Sequence, residues 1–167
     1  MRWIRYFLLI VSLVVIQTAI FPSLRVFGAV PDLLLVATVA VAYERGPETG
    51  AVFGFAAGAA IDVFLATPMG VSALAFTLTG WGVGIFQSGL VRASRWMAPI
   101  LGGVGGLVGG FLWICIASIA GQDDLFAPAS FRILVTAAFY DALVAFLIFP
   151  FARWACCEPD LAHRYSR

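Results

Sequence analysis

Two carboxyls set among apolar residues are the groups in this chain best placed to do chemistry. Asp62 closes the run Gly50–Asp62, in which Gly50, Gly54 and Gly58 stand four residues apart and the next equal step lands on the acid. Asp141 lies inside the apolar stretch 131–151. A carboxyl at mid-helix in hydrocarbon is disfavoured by roughly 2.5–3.5 kcal/mol even on a lenient scale, so each should face protein or a wet cavity. Brought together and sharing a proton, they would form an intramembrane proteolytic dyad. Set along a pathway, they would relay protons or ions. The first reading suffers because Asp62 is expected near an end of its helix and Asp141 near the middle of another. The second lacks the matched broken helices of carriers. A structural role remains: a hydrogen-bonded contact to a neighbouring helix. Asp62 has the further option of capping backbone N–H groups near Gly70-Val71-Ser72, where Pro68 and Gly70 mark a tight turn.

Other reactive groupings fail by type or spacing. His163 is the only histidine, so no histidine cluster can hold zinc. Ser12, Ser72, Ser88, Ser94 and Ser118 have no base at an arguable spacing. The glycines are four-spaced inside apolar runs and do not form a phosphate-binding loop. Cys115 is isolated, and Cys156 and Cys157 are neighbours, which rarely form a structural disulfide. Gln17 is the amide of the first apolar run and is read as a hydrogen-bonding partner for another helix. The chain is therefore expected to be no enzyme, with no cofactor and no metal.

The elements that position these groups follow from composition. Of 167 residues, 62% are hydrophobic and 11% charged, with a mean hydropathy of +1.01. That mixture belongs to an all-α integral membrane protein, with room for about six helices of about 20 residues each. The formal net charge of +1 gives no field for nucleic acid. The N-terminus has a basic start and a long apolar run without a small-residue cleavage site, so a retained first helix is expected.

The periodicity predicts six transmembrane helices, over about 6–21, 33–43, 49–65, 70–90, 98–120 and 131–151. Pro31 and Asp32 open the second, which is short for a span; Pro31 suits a first turn and Asp32 complements the helix dipole. The four-residue connection 66–69 makes the third and fourth antiparallel neighbours. The stripe Gly50, Gly54, Gly58 lets another helix approach to backbone contact. Gly80 and Gly84 repeat that spacing on the fourth helix. Six glycines between 102 and 110 on the fifth fit either close packing on two faces or local flexibility. With six spans, eight arginines (2, 5, 45, 92, 95, 153, 164 and 167) share one side and two (25 and 132) the other. The positive-inside bias places both termini in the cytoplasm of a multi-pass protein. Trp3, Tyr6, Tyr43, Trp96 and Trp154 share the arginine-rich face. Residues 1–155 are read as one transmembrane domain and 156–167 as a short polar cytoplasmic tail.

Three segments together suggest a family. Pro31-Asp32-Leu33-Leu34-Leu35 opens the second helix, Glu44-Arg45-Gly46-Pro47 follows it, and GAVFGFAAGAAIDVFLATPMGVSAL covers 50–74. These resemble the rod shape-determining protein MreD family, whose pattern falls on Pro31, Asp32, Gly54, Gly58, Asp62, Pro68, Gly70, Ser72 and Leu74. The resemblance implies a non-enzymatic subunit of the bacterial cell-elongation complex in the plasma membrane. Its partners would be MreC, a bitopic periplasmic protein, and an assembly containing actin-like MreB. That assembly governs a SEDS-type glycosyltransferase and a class B penicillin-binding protein in lateral peptidoglycan synthesis. The resemblance also implies a fold like that of the S components of energy-coupling-factor transporters, six helices around a central pocket. This supplies an alternative, a substrate-binding S component of a vitamin or small-molecule transporter. The bulky, β-branched first helix, without four-spaced alanines, argues against it. The expectation is a scaffold in which the glycine face and the Asp62–Gly70 corner fix a rigid hairpin, and other faces bind a partner's transmembrane helix.

Overall fold

The computed structural model describes residues 2–19, 30–64, 69–87, 97–121 and 128–156. Their regular structure is six helices: α1 (Arg2–Ala19), α2 (Leu33–Arg45), α3 (Pro47–Asp62), α4 (Val71–Phe86), α5 (Met97–Ile119) and α6 (Pro128–Cys156). The expectations at Arg25, Pro68, Arg92, Arg95, Trp96 and the tail 157–167 lie outside the described residues.

The short second helix is the axis of the bundle. Every residue from Leu33 to Tyr43 is buried, and α2 touches each of the other five helices. At about 1.5 Å per residue it is about 20 Å long, against about 30 Å of hydrocarbon. Protein surrounds it in place of lipid, so its length need not match the bilayer. Local chemistry fixes both ends. Asp32 caps the N-terminus, its Oδ1 accepting from the N–H groups of Leu34 at 3.2 Å and Leu35 at 3.1 Å. At the other end Gly46 has φ +90°, a conformation that favours glycine, and donates its N–H to the Ala42 carbonyl at 2.8 Å. Gly46 alone separates α2 from α3, which begins at Pro47, a residue already set for a first helical turn.

The most extensive pairings are α3 with α4 and α5 with α6, while α1 lies against α6, α3 and α2 over a smaller surface. Within α5 and α6, Ala98–Ile119 and Ser130–Cys156 are long and apolar enough to cross a membrane, and Trp3–Ala19 and Val71–Phe86 are shorter apolar helices. Large apolar side chains point outward along α1, α3, α4, α5 and α6, among them Phe7, Phe55, Leu78, Val108, Phe139 and Phe146. So much exposed apolar surface is a liability in water and ordinary against lipid.

α6 continues past the expected end at 151, with Pro150 inside it. Pro150 is exposed, whereas Ala152, Ala155 and Cys156 beyond it are buried. The packed last turn offsets the hydrogen bond that proline removes. The ends of α2 and α6 meet the start of α1. The Arg5 guanidinium lies over the Trp154 ring at 5.6 Å, Arg153 Nε donates to Glu44 Oε1 at 2.8 Å, and Arg45 donates to the Cys156 carbonyl. Of the aromatics at this end, Trp3 and Trp154 face outward while Tyr6 and Tyr43 turn into the core.

Candidate functional site

Along the α3–α4 pair the glycines are spent on backbone contact. A Cβ on Gly54 would stand 2.5 Å from the Phe76 carbonyl oxygen and 2.9 Å from Thr38 Cγ2. One on Gly50 would stand 2.5 Å from Ala42 Cβ and 2.8 Å from the Gly80 carbonyl oxygen. Gly58 rests on the backbone of Ser72 and Ala73, and Gly84 on Pro47. The stripe therefore seats α4 while its flank meets α2.

Asp62 ends this contact. It is 2% exposed, and its carboxylate receives three N–H groups from the start of α4. Oδ2 accepts from Gly70 at 2.8 Å and Ala73 at 3.3 Å, and Oδ1 from Ser72 at 3.2 Å. Gly70, at φ +103°, lets the chain turn into the helix there. A negative group at the C-terminal end of α3 is unfavourable to that helix and favourable to the first turn of α4. The hydrogen bonds decide between the two, since α4's opening N–H groups have no partners inside the helix.

A second polar cluster gathers at the buried start of α2. The Asp32 backbone N–H donates to Asp141 Oδ1 at 2.7 Å. Gln17 Nε2 donates to Asp32 Oδ1 at 3.2 Å, and Gln17 Oε1 accepts from the Leu34 N–H at 3.4 Å. Because α2 is short, its N-terminus meets α6 at mid-length, where Asp141 stands. Asp141 is thus brought to Asp32, and Asp62 serves α4 instead. The pairing of Asp32 with Asp141 spans 109 positions and has no signal in residue spacing. The one clue in the sequence is an aspartate opening a helix too short to span.

The space beyond the start of α2 is a cavity of about 420 Å³, lined by Gln17, Asp32, Ser72, Trp113 and Asp141 among apolar side chains. Trp113 Nε1 donates to Ser72 Oγ at 3.2 Å, joining α5 to the first turn of α4; this contact too leaves no mark in residue spacing. The α5 glycines resolve into two faces. Gly102, Gly106 and Gly110 turn to α6, against Ala145, Asp141 and Leu134, while Gly105 and Gly109 turn to Val39 and Leu35 of α2. Close packing on two sides explains their density.

These polar atoms hold helices in register and line a cavity. Among the described residues no group of three or more His, Cys, Asp or Glu is arranged to hold a metal ion. Compared with known proteins, the chain matches a family model described as rod shape-determining protein MreD over residues 1–155. No curated protein and no solved structure matches it.

Proposed function

Because the chain belongs to the MreD family, we propose that it is a scaffold subunit of the cell-elongation complex, binding an MreC-like bitopic protein by helix packing. Membership makes it a rod shape-determining membrane protein and not an enzyme. In the proposal, six helices cross the bacterial plasma membrane with both termini in the cytoplasm. MreB, a SEDS-type glycosyltransferase and a class B penicillin-binding protein complete the assembly.

The observation that carries the packing mechanism is where the glycines go. Gly50, Gly54 and Gly58 are all consumed between α3, α4 and α2, so a partner's helix must use an outward face. A concave one lies between α1 and α3, lined by Trp3, Phe7, Ile10, Thr49, Val52 and Ala56. It is apolar, and α1 is the helix least bound to the rest. A single transmembrane helix fits such a groove by shape alone.

Co-purification from detergent-solubilised membranes with a tagged MreC-like partner tests this. Ala56→Trp fills the groove from its outer side, and recovery of the partner should fall about tenfold, a loss of about 1.4 kcal/mol, at unchanged yield of the variant. Undiminished recovery removes the groove from the proposal. Failure of the unmodified chain to retain any such partner removes the partner.

The cavity is the one observation that favours the alternative, a substrate-binding S component of a small-molecule transporter. Neighbouring reading frames separate the two. An MreC-like gene supports the scaffold, and transporter ATPase genes support the S component.

A further inference from the structure

The cavity at the start of α2 has the build of a ligand site. Its volume of about 420 Å³ falls within the about 300–1,000 Å³ of small-molecule pockets, which are mainly apolar with a few convergent polar groups. Leu35, Ile61, Phe76, Ile114, Ile133 and Leu134 supply the apolar wall. Two carboxyls, Asp32 and Asp141, lie at its polar end, and no arginine, lysine or histidine is among the described lining residues.

The hydrogen bonds leave this end incomplete. Asp141 is 2% exposed, and its Oδ1 is taken by the Asp32 N–H. Its Oδ2 has no hydrogen-bond partner among the described residues. That oxygen lies over Gly106, where a Cβ would collide with it. The missing side chain on α5 is the room in which the carboxyl turns to the cavity. The contrast with Asp62 is direct, since both of its oxygens are engaged by α4.

We propose that this cavity binds an amphiphile carrying an ammonium group on an apolar body, with the ammonium lodged against Asp141 and Asp32. An ammonium brings three donors and the positive charge that the described lining lacks. The apolar wall takes the carbon chain. A free alkylamine and an aminophospholipid headgroup share this chemistry. The proposal requires neither the scaffold reading nor the transporter reading.

The test titrates the full chain, purified in a non-ionic maltoside detergent, with hexylammonium and separately with hexanoate, two probes with the same type of body and opposite heads. Calorimetry should show hexylammonium binding about tenfold tighter or more. In Asp141→Asn the amide oxygen can still accept from the Asp32 N–H, and the preference should vanish. Asp32→Asn is the second variant: asparagine also caps helices, so the fold is retained, and the preference should shrink. Native mass spectrometry of the chain from nanodiscs of equal phosphatidylethanolamine and phosphatidylglycerol separates the sources. Selective retention of phosphatidylethanolamine identifies a lipid, whereas hexylammonium binding without it identifies a small soluble amine. Equal affinity for the two probes in the unmodified chain overturns the proposal. So does a preference that survives in both folded variants.

Discussion

Two helix pairs of this protein are made from the same parts, a run of closely spaced glycines and one buried aspartate, and the results differ. Between α3 and α4 the glycines admit backbone: Phe76, Ser72 and Gly80 fill the places where side chains would stand. The aspartate there meets three N–H groups. Between α5 and α6, Gly106 admits the carboxyl of Asp141, and the space beyond stays open as a cavity. Glycine in an apolar helix thus has two separate uses. It can let another backbone approach, or it can house a polar group that lipid would reject.

Substitutions should separate the two pairs by the size of their effects. Leucine at Gly54 or Gly58 must displace the backbone of α4, which has nowhere to go. The penalty should exceed the about 1–3 kcal/mol of ordinary overpacking, and folded protein should be lost. Membrane yield and the size-exclusion profile report it; a normal profile for either variant breaks the first half of the comparison.

Asp62→Leu comes next, because it strands three N–H groups and should lower stability by about 3 kcal/mol. Asp62→Asn retains an acceptor and should lower it by about 1 kcal/mol. Thermal unfolding in detergent ranks them, and equal losses would reject a capping role for Asp62. Gly106→Ala presses on a side chain instead of backbone. Asp141 can turn aside at the expense of its bond to the Asp32 N–H, so the loss should be about 1 kcal/mol. A collapse as severe as that of Gly54→Leu would erase the distinction between the two pairs. The smallest effect has the opposite sign. Gly82 has open space around its Cβ position, and Gly82→Ala should stabilise α4 by about 0.5–1 kcal/mol.

The chain displays these features unevenly because they depend on different distances along it. The stripe is legible since residues four apart share a helix face, and Gly70 is within reach of Asp62 because eight positions and a turn separate them. The six helices are legible from apolar runs set between turn residues. The two-sided use of the α5 glycines is not, since it depends on where α2 and α6 stand. The meeting of Gln17, Asp32 and Asp141 is further removed. It requires the depth at which α2 begins, and depth is a property of the assembled bundle. Trp113 and Ser72 are 41 positions apart and meet for the same reason.

The buried axis also bears on how the protein is made. Residues 33–43 are buried on every side in the finished bundle, and the helix ends in a Glu-Arg pair. As each segment leaves the ribosome and is offered to the bilayer, this one, apolar but only 13 residues long, is too short to cross about 30 Å of hydrocarbon by itself. It gains its surroundings only as the later helices arrive, α6 last of all. Chains halted before α6 should therefore be the ones that quality-control proteases remove.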